Sequence, residues 1–309
     1  MPIFHSLGLT VTTLFPLLES IPVVCHPDPT DGYNIGKLAH KYKATMLFAT
    51  STFFRLYSRN KKLNPLMFET LRLAIAGAEK LQPQVREMFK EKFNLNIYEG
   101  YGATETSPVA SINIPDKLRA DTYKVQKGEK KGTIGKPLVG TSILITDPET
   151  FEPLSIGEEG MILIGGVQVM KGYLKNKEKT DEVLKVIDGI TYYVTGDKGK
   201  LDEDGFLTIV DRYSRFAKIG GEMVSLGLVE SSIKKICDES FDIAITALSD
   251  EKKGEKLVLL AEGDVEIESL KANILELGLN PLYLPSHYLK VDEIPKLGSG
   301  KADFKAIKS

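Results

Sequence analysis

Three stretches of the chain place polar side chains where they could do chemistry. In Tyr193-Val-Thr-Gly-Asp197 a carboxylate follows a β-prone run. A fixed carboxylate suits a pair of vicinal hydroxyls, because it accepts two charge-assisted hydrogen bonds. In Glu99-Gly-Tyr-Gly-Ala-Thr-Glu-Thr106, Tyr101 offers a flat face for a purine ring, and Gly100 and Gly102 allow close backbone approach. Thr104 offers a hydroxyl to a phosphate and Glu105 a hard oxygen to Mg²⁺. In Pro295-Lys-Leu-Gly-Ser-Gly-Lys301 a lysine sits on a glycine-flanked loop, from which a point charge can swing onto a phosphate. Taken singly, each stretch has a plainer reading: turn acids on a solvated hairpin, a glycine-rich turn after a strand, a solvated basic tail.

The elements that must position these groups follow from pattern. Ile21 to Cys25 and Thr45 to Ala49 read as short apolar strands, and Leu71 to Ala76 as a strand ending in Gly77-Ala78-Glu79. Ile35, Leu38, Ala39 and Tyr42 fall at helical spacing, and Pro83 opens a helix with Val85, Met88, Phe89 and Phe93 on one face. With Asn96 to Tyr98 as the next strand, this alternation predicts an α/β fold with a parallel, doubly wound sheet, where ligands bind beyond the carboxyl ends of strands. Asp116 to Gly132 is charged and aperiodic, and so an exposed loop. From Gly132 the chain turns β-rich, with Ser142 to Thr146, Met161 to Gly165 and Val167 to Tyr173, which predicts a small barrel-like subdomain. A helix over Asn176 to Leu184 leads to a strand that ends at Asp197, a turn over Asp202 to Gly205, and a strand over Phe206 to Val210. Beyond Arg212 the pattern restarts with two helices and two or three strands, an α+β unit of about a hundred residues.

Composition sets outer bounds. The chain has 309 residues, 42% apolar and 27% charged, and a net charge of −2, which gives no field for nucleic acid or anionic lipid. Cys25 and Cys237 lie far apart, with no CxxC or HExxH spacing, so neither a disulfide framework nor a zinc site is expected. The apolar run Phe4 to Val24 is interrupted by Pro16, Glu19 and Pro22, too broken for a membrane span.

Thr195-Gly-Asp197, then Asp211-Arg212 fourteen positions on, then Lys218-Ile-Gly-Gly-Glu-Met-Val224 together resemble the ATP-dependent adenylate-forming (AMP-binding) superfamily of acyl-CoA synthetases, luciferases and peptide-synthetase adenylation domains. The Tyr101-Gly-Ala-Thr-Glu105 pentapeptide and Lys301 agree with it, and the resemblance covers essentially the whole chain. It implies a large AMP-binding domain over 1–211, β-rich from about 133, and a small mobile domain over 212–309. It also implies ATP, AMP and Mg²⁺ as cofactors. Asp197 and Arg212 would hold the ribose, Tyr101 would stack on adenine beside Gly102 and the Gly77-Ala78-Glu79 wall, Thr104 would meet a phosphate, and Glu105 would bind the metal. His5 would lie near the acyl carboxylate; a packing role at a helix start fits it equally. Lys301 would bridge carboxylate and α-phosphate in adenylation, and Lys218 with Gly220 and Gly221 would face the thiol channel after the small domain rotates. An Asp or Lys is common at the hinge, two residues after the Arg; here it is Ser214.

Within the superfamily, Ser214 to Leu226 and Leu297 to Phe304 look most like the acyl–acyl carrier protein synthetase part of bifunctional bacterial 2-acylglycerophosphoethanolamine acyltransferases. That branch implies a fatty acid substrate, phosphopantetheine on acyl carrier protein as thiol, and phospholipid acyl recycling. It also implies a cytoplasmic location, with a parent protein that contacts the inner membrane through an upstream region. An acyl-CoA synthetase or other AMP-forming carboxylate ligase, with coenzyme A as thiol, and a non-catalytic carrier-protein-binding module are the alternatives. The family's Ser/Thr/Gly-rich phosphate loop ending in Pro-Lys-Gly is absent from the sequence. The chain therefore reads as a carboxyl-terminal fragment, expected to be impaired in adenylation alone because the departing pyrophosphate lacks that loop's donors.

Overall fold

The computed structural model describes residues 1–237, 241–250, 254–297 and 302–308. The chain divides into two compact units, Met1–Thr195 with Gly199–Val210, and Gly196–Lys198 with Asp211–Ser309.

The first unit opens with α1 (Ser6–Leu9), a π-helical turn over Thr10–Leu14 and α2 (Phe15–Leu18). Ile21 to Cys25 is not the buried strand its apolar run suggested; it pairs with no strand and is exposed. Pro22 lacks the N–H a ladder position needs. Then come α3 (Gly32–Lys41), β1 (Met46–Ala49), α4 (Ser51–Arg59), β2 (Leu73–Ala76), α5 (Pro83–Phe93) and β3 (Ile97–Gly102). Strands β1, β2 and β3 pair in parallel in that order, each joined to the next by a segment that contains a helix. Thr50 caps α4 by accepting from Phe53 N at 3.3 Å, and Asn94, at φ 54°, ends α5. The helices bury Phe54 and Phe89, edge to face at 5.0 Å, and Phe89 and Phe93 at 4.7 Å. Buried aromatic pairs of this kind give the sheet a stiff backing.

The sheet then changes sense. β4 (Val109–Ile112) pairs antiparallel with β3. The charged segment that follows contains a two-strand ribbon, β5 (Lys117–Leu118) and β6 (Val125–Gln126), before β7 (Lys136–Pro137) completes the sheet beside β4. A second five-stranded sheet is formed by β8 (Thr141–Thr146), β9 (Gly160–Gly166), β10 (Leu184–Ile187), β11 (Ile190–Leu201) and β12 (Leu207–Arg212), in the order β10-β11-β9-β8 with β12 on β11. Helix α6 (Lys177–Val183) precedes β10. Ile143, Ile145, Ile162, Ile164 and Leu207 are its core, with Ala110 of β4. Val167 to Tyr173 is not a strand: Gly166 and Gly172, at φ 139° and 144°, leave the extended conformation at both ends. The strand expected to end at Asp197 runs on to Leu201. Gly196 takes φ 74° inside it, which glycine does without steric cost.

The second unit contains β13 (Phe216–Ile219), β14 (Glu222–Ser225), α7 (Leu226–Ile233), β15 (Phe241–Asp250), β16 (Gly254–Gly263), α8 (Ile267–Glu276), β17 (His287–Val291) and α9 (Phe304–Lys308). Its sheet has five strands rather than two or three, in the order β14-β13-β16-β15, with β17 parallel to β16. The additional pair is a hairpin whose two-residue loop is Gly220-Gly221, at φ 61° and 91°. Left-handed values at both loop positions are what a tight hairpin needs, and Gly-Gly was its sequence signal. Val229, Ile233, Ile243, Ile245, Leu259 and Ile274 form the core. Among the described residues, no helix is long and apolar enough to cross a membrane.

Candidate active site

In the first unit the site is built at the end of β3. The β3–β4 register shifts between Tyr101 and Gly102, and a Cβ on Gly102 would lie 1.7 Å from the Pro108 carbonyl oxygen. Only glycine fits there. A 3₁₀ turn over Thr104–Thr106 follows. Buried Thr106 locks it, with Oγ1 accepting from Ala103 N at 3.1 Å and lying 2.9 Å from the Pro108 carbonyl oxygen. That leaves Thr104 exposed, its Oγ1 donating to Ser6 Oγ at 3.1 Å. Glu105 is half-buried. Its Oε1 accepts from the Tyr173 hydroxyl at 2.7 Å, and its carbonyl accepts from Met170 N at 2.8 Å. Burial, followed by the Glu105 carboxylate, pushes the Tyr173 hydroxyl up to about 12, so it stays a neutral donor at ordinary pH.

The other expected residues of this unit have structural partners as well. Tyr101 is half-buried and packs against the cluster around Ile143 and Ile164. Gly77 lies beyond the end of β2, where a Cβ would sit 2.7 Å from Leu7 Cδ2. Ala78 is left-handed at φ 72°. Glu79 Oε1 accepts from Thr52 N at 2.5 Å, in the first turn of α4. His5 caps α1, its Nδ1 accepting from Leu7 N at 3.2 Å. Glu99, at the start of the motif, is bound to Arg86 and accepts from Leu81 N at 3.3 Å. Burial outweighs the arginine and holds its carboxyl above the ordinary range. Its task is to tie β3 to α5.

In the second unit Asp197 is buried, its side chain 7% exposed, and Oδ1 accepts from Arg212 Nε at 2.9 Å. The Arg212 side chain is 63% exposed. Asp211, which the sequence motif contained without giving it a role, is also buried. It accepts from Arg212 N at 2.7 Å, from Gly227 N at 3.0 Å and from Ser225 Oγ. A Cβ on Gly227 would meet this carboxylate at 2.7 Å. Asp211 therefore anchors the start of α7 directly behind Arg212. The signal was the Ser225 cap with Gly227 two residues on. Ser214 is exposed in a 3₁₀ turn over Tyr213–Arg215. Lys218 is exposed on β13, its backbone N–H donating to Glu255 Oε2 at 2.6 Å, and Gly220 and Gly221 are the hairpin loop. Lys301 lies outside the described residues. The chain on either side is pinned by a Lys296–Ala302 bridge and by Asp303 N donating to Pro295 O at 2.7 Å.

Among the described residues no three His, Cys, Asp or Glu side chains lie together as a metal cage. Glu105 fits Mg²⁺ in another way, since that ion takes one or two carboxylates and keeps water and phosphate oxygens as its other ligands.

A family model for AMP-binding enzymes matches residues 1–174. A long-chain-fatty-acid–CoA ligase of Yersinia pestis is 29% identical over 304 residues, 97% of this chain and 51% of that protein. A probable 4-coumarate–CoA ligase of Dictyostelium discoideum is 34% identical over 226 residues, 72% of this chain and 38% of that protein. Among solved structures, ATP-bound MatB from Rhodopseudomonas palustris is similar with a TM-score of 0.84 at 26% identity, over all of this chain and 58% of that one. The o-succinylbenzoate CoA synthetase MenE of Bacillus subtilis, in complex with its acyl-adenylate, gives 0.80 at 24% identity. The α/β sheet, β-rich part and small α+β unit expected from the sequence are the fold of these structures. The chain spans about half the length of the curated relatives it matches.

Proposed function

The chain belongs to the AMP-binding enzyme family, and on that premise we propose that it carries nucleotide-holding and acyl-transfer groups of an AMP-forming acid–thiol ligase. In such a ligase a carboxylate attacks the α-phosphate of ATP and pyrophosphate leaves. A thiol then takes the acyl group and releases AMP. The observation that carries the reading is the buried Asp197 carboxylate fixed by Arg212 Nε at 2.9 Å. A buried acceptor with its rotamer held is preorganised for ribose hydroxyls. Tyr101 stacks on the base beside Gly102 and Gly77-Ala78-Glu79, Thr104 donates to a phosphate, and Glu105 holds Mg²⁺, which when bound offsets phosphate charge. Lys301 serves adenylation. Lys218, Gly220 and Gly221 serve thiol transfer, after residues 212–309 turn about Ser214. His5 lies toward the acyl carboxylate.

The acid is a fatty acid, a reading supported by the similarity to a long-chain-fatty-acid–CoA ligase over 97% of this chain. The thiol is a phosphopantetheine. The resemblance of Ser214 to Leu226 favours acyl carrier protein and phospholipid acyl recycling; the CoA ligases among the relatives favour coenzyme A. Calorimetry with AMP, comparing the wild type with Asp197→Ala, tests the core of the proposal; equal affinities would remove Asp197 from the site. Supplying preformed acyl-adenylate with either thiol separates the two carriers. Where adenylation is measurable, Lys301→Ala slows it far more than transfer. Equal slowing would reject the turning of residues 212–309.

A further inference from the structure

We propose that Tyr173 is a positioning residue for Glu105, and that residues 170–173 set the affinity of this carboxylate for the divalent cation that accompanies the nucleotide. The inference rests on the reading of Glu105 as the metal-holding group. The segment grips Glu105 at two points, Met170 N on its carbonyl at 2.8 Å and the Tyr173 hydroxyl on Oε1 at 2.7 Å. The grip is itself fastened. Tyr173 N donates to Thr180 Oγ1 at 2.8 Å, and Thr180 Oγ1 donates to the Asn176 carbonyl at 2.9 Å. Asn176 in turn caps α6 by accepting from Lys179 N at 3.0 Å. Gly172, at φ 144°, has no room for a Cβ, which would lie 2.7 Å from Thr180 Cγ2. Tyr193, buried on β11, also hydrogen-bonds the Tyr173 hydroxyl.

The choice of donor matters. A lysine or arginine here would fix the carboxylate but cancel its charge. A phenol fixes one oxygen and leaves the charge for a cation. Partners behind a metal ligand orient it, and their loss typically costs about 10- to 100-fold in metal affinity.

The probe is Mn²⁺, followed by electron paramagnetic resonance as it binds this chain in the presence of ATP. Tyr173→Phe removes one oxygen and is expected to weaken Mn²⁺ about 10- to 100-fold, while AMP affinity without metal stays at the wild-type value. Tyr193→Phe is expected to weaken Mn²⁺ less, in the same direction. If Glu105→Gln abolishes Mn²⁺ binding and both tyrosine variants bind it as the wild type does, the reading of Glu105 stands and the positioning role is overturned. If Glu105→Gln leaves Mn²⁺ binding intact, the reading of Glu105 fails, and the proposal with it. A Tyr173→Phe variant that loses metal-free AMP binding in equal measure has lost structure rather than metal positioning, and that outcome also overturns the proposal.

Discussion

Glu105 in the first unit and Asp197 in the second are both carboxylates at the heart of a candidate site, yet they are held by unlike partners. Glu105 is half-buried and takes one hydrogen bond from a neutral phenol. Asp197 is almost fully buried and takes a bond from a guanidinium. The first arrangement keeps the negative charge available at a surface that a hydrated cation can reach. The second offsets the charge, leaving an acceptor suited to neutral hydroxyl donors. The neighbour of a carboxylate, more than the carboxylate itself, selects the class of ligand it can take.

The contrast can be broken most directly at Glu105. Glu105→Gln is expected to lower Mn²⁺ affinity by about 100-fold or more, at least the upper end of what losing an outer partner costs, with metal-free AMP binding unchanged. If metal-free AMP binding fell equally, Glu105 would act on the nucleotide itself and the contrast would collapse. Asp197→Ala should do the opposite. Losing a buried, charged acceptor costs about 1.5–3 kcal/mol, or roughly 10- to 150-fold in AMP affinity, and calorimetry should give the same loss with and without metal.

Two smaller effects sharpen the comparison. Arg212→Gln removes one partner of Asp197, but the guanidinium is mostly in water. Screening therefore limits the stability loss to about 1 kcal/mol, seen as a lower urea midpoint. The smallest effect is a pH dependence. The Tyr173 hydroxyl is pushed up to about 12, above its value in an unfolded chain. A raised value stabilises the fold below the unfolded-state pKa of about 10 and loses that contribution as pH rises through the folded one. The stability difference between wild type and Tyr173→Phe should thus be flat from about pH 6 to 9 and shrink above about pH 10. Denaturant melts across that range check it; a difference that grows with pH would mean Tyr173 is held as phenolate.

Much of this molecule was legible locally. The strand–helix alternation from Thr45 to Tyr98 and the helix opened by Pro83 lie where periodicity and breakers put them, because those signals act over a few residues. The types and order of the polar groups, from Tyr101 to Arg212, were likewise written in the chain. What folding alone decided is which group faces which. Tyr173 reaches Glu105 across 68 positions, and Asp211 takes up Gly227 N from 16 positions away. Ile21 to Cys25 has strand composition but no partner strand, while Gly196 carries β11 through what looked like an end. Residue type and spacing set what a side chain can donate or accept. Its actual partner depends on loop closures and sheet registers that bring distant segments together, and those depend on the packing of the whole unit rather than on any window of sequence.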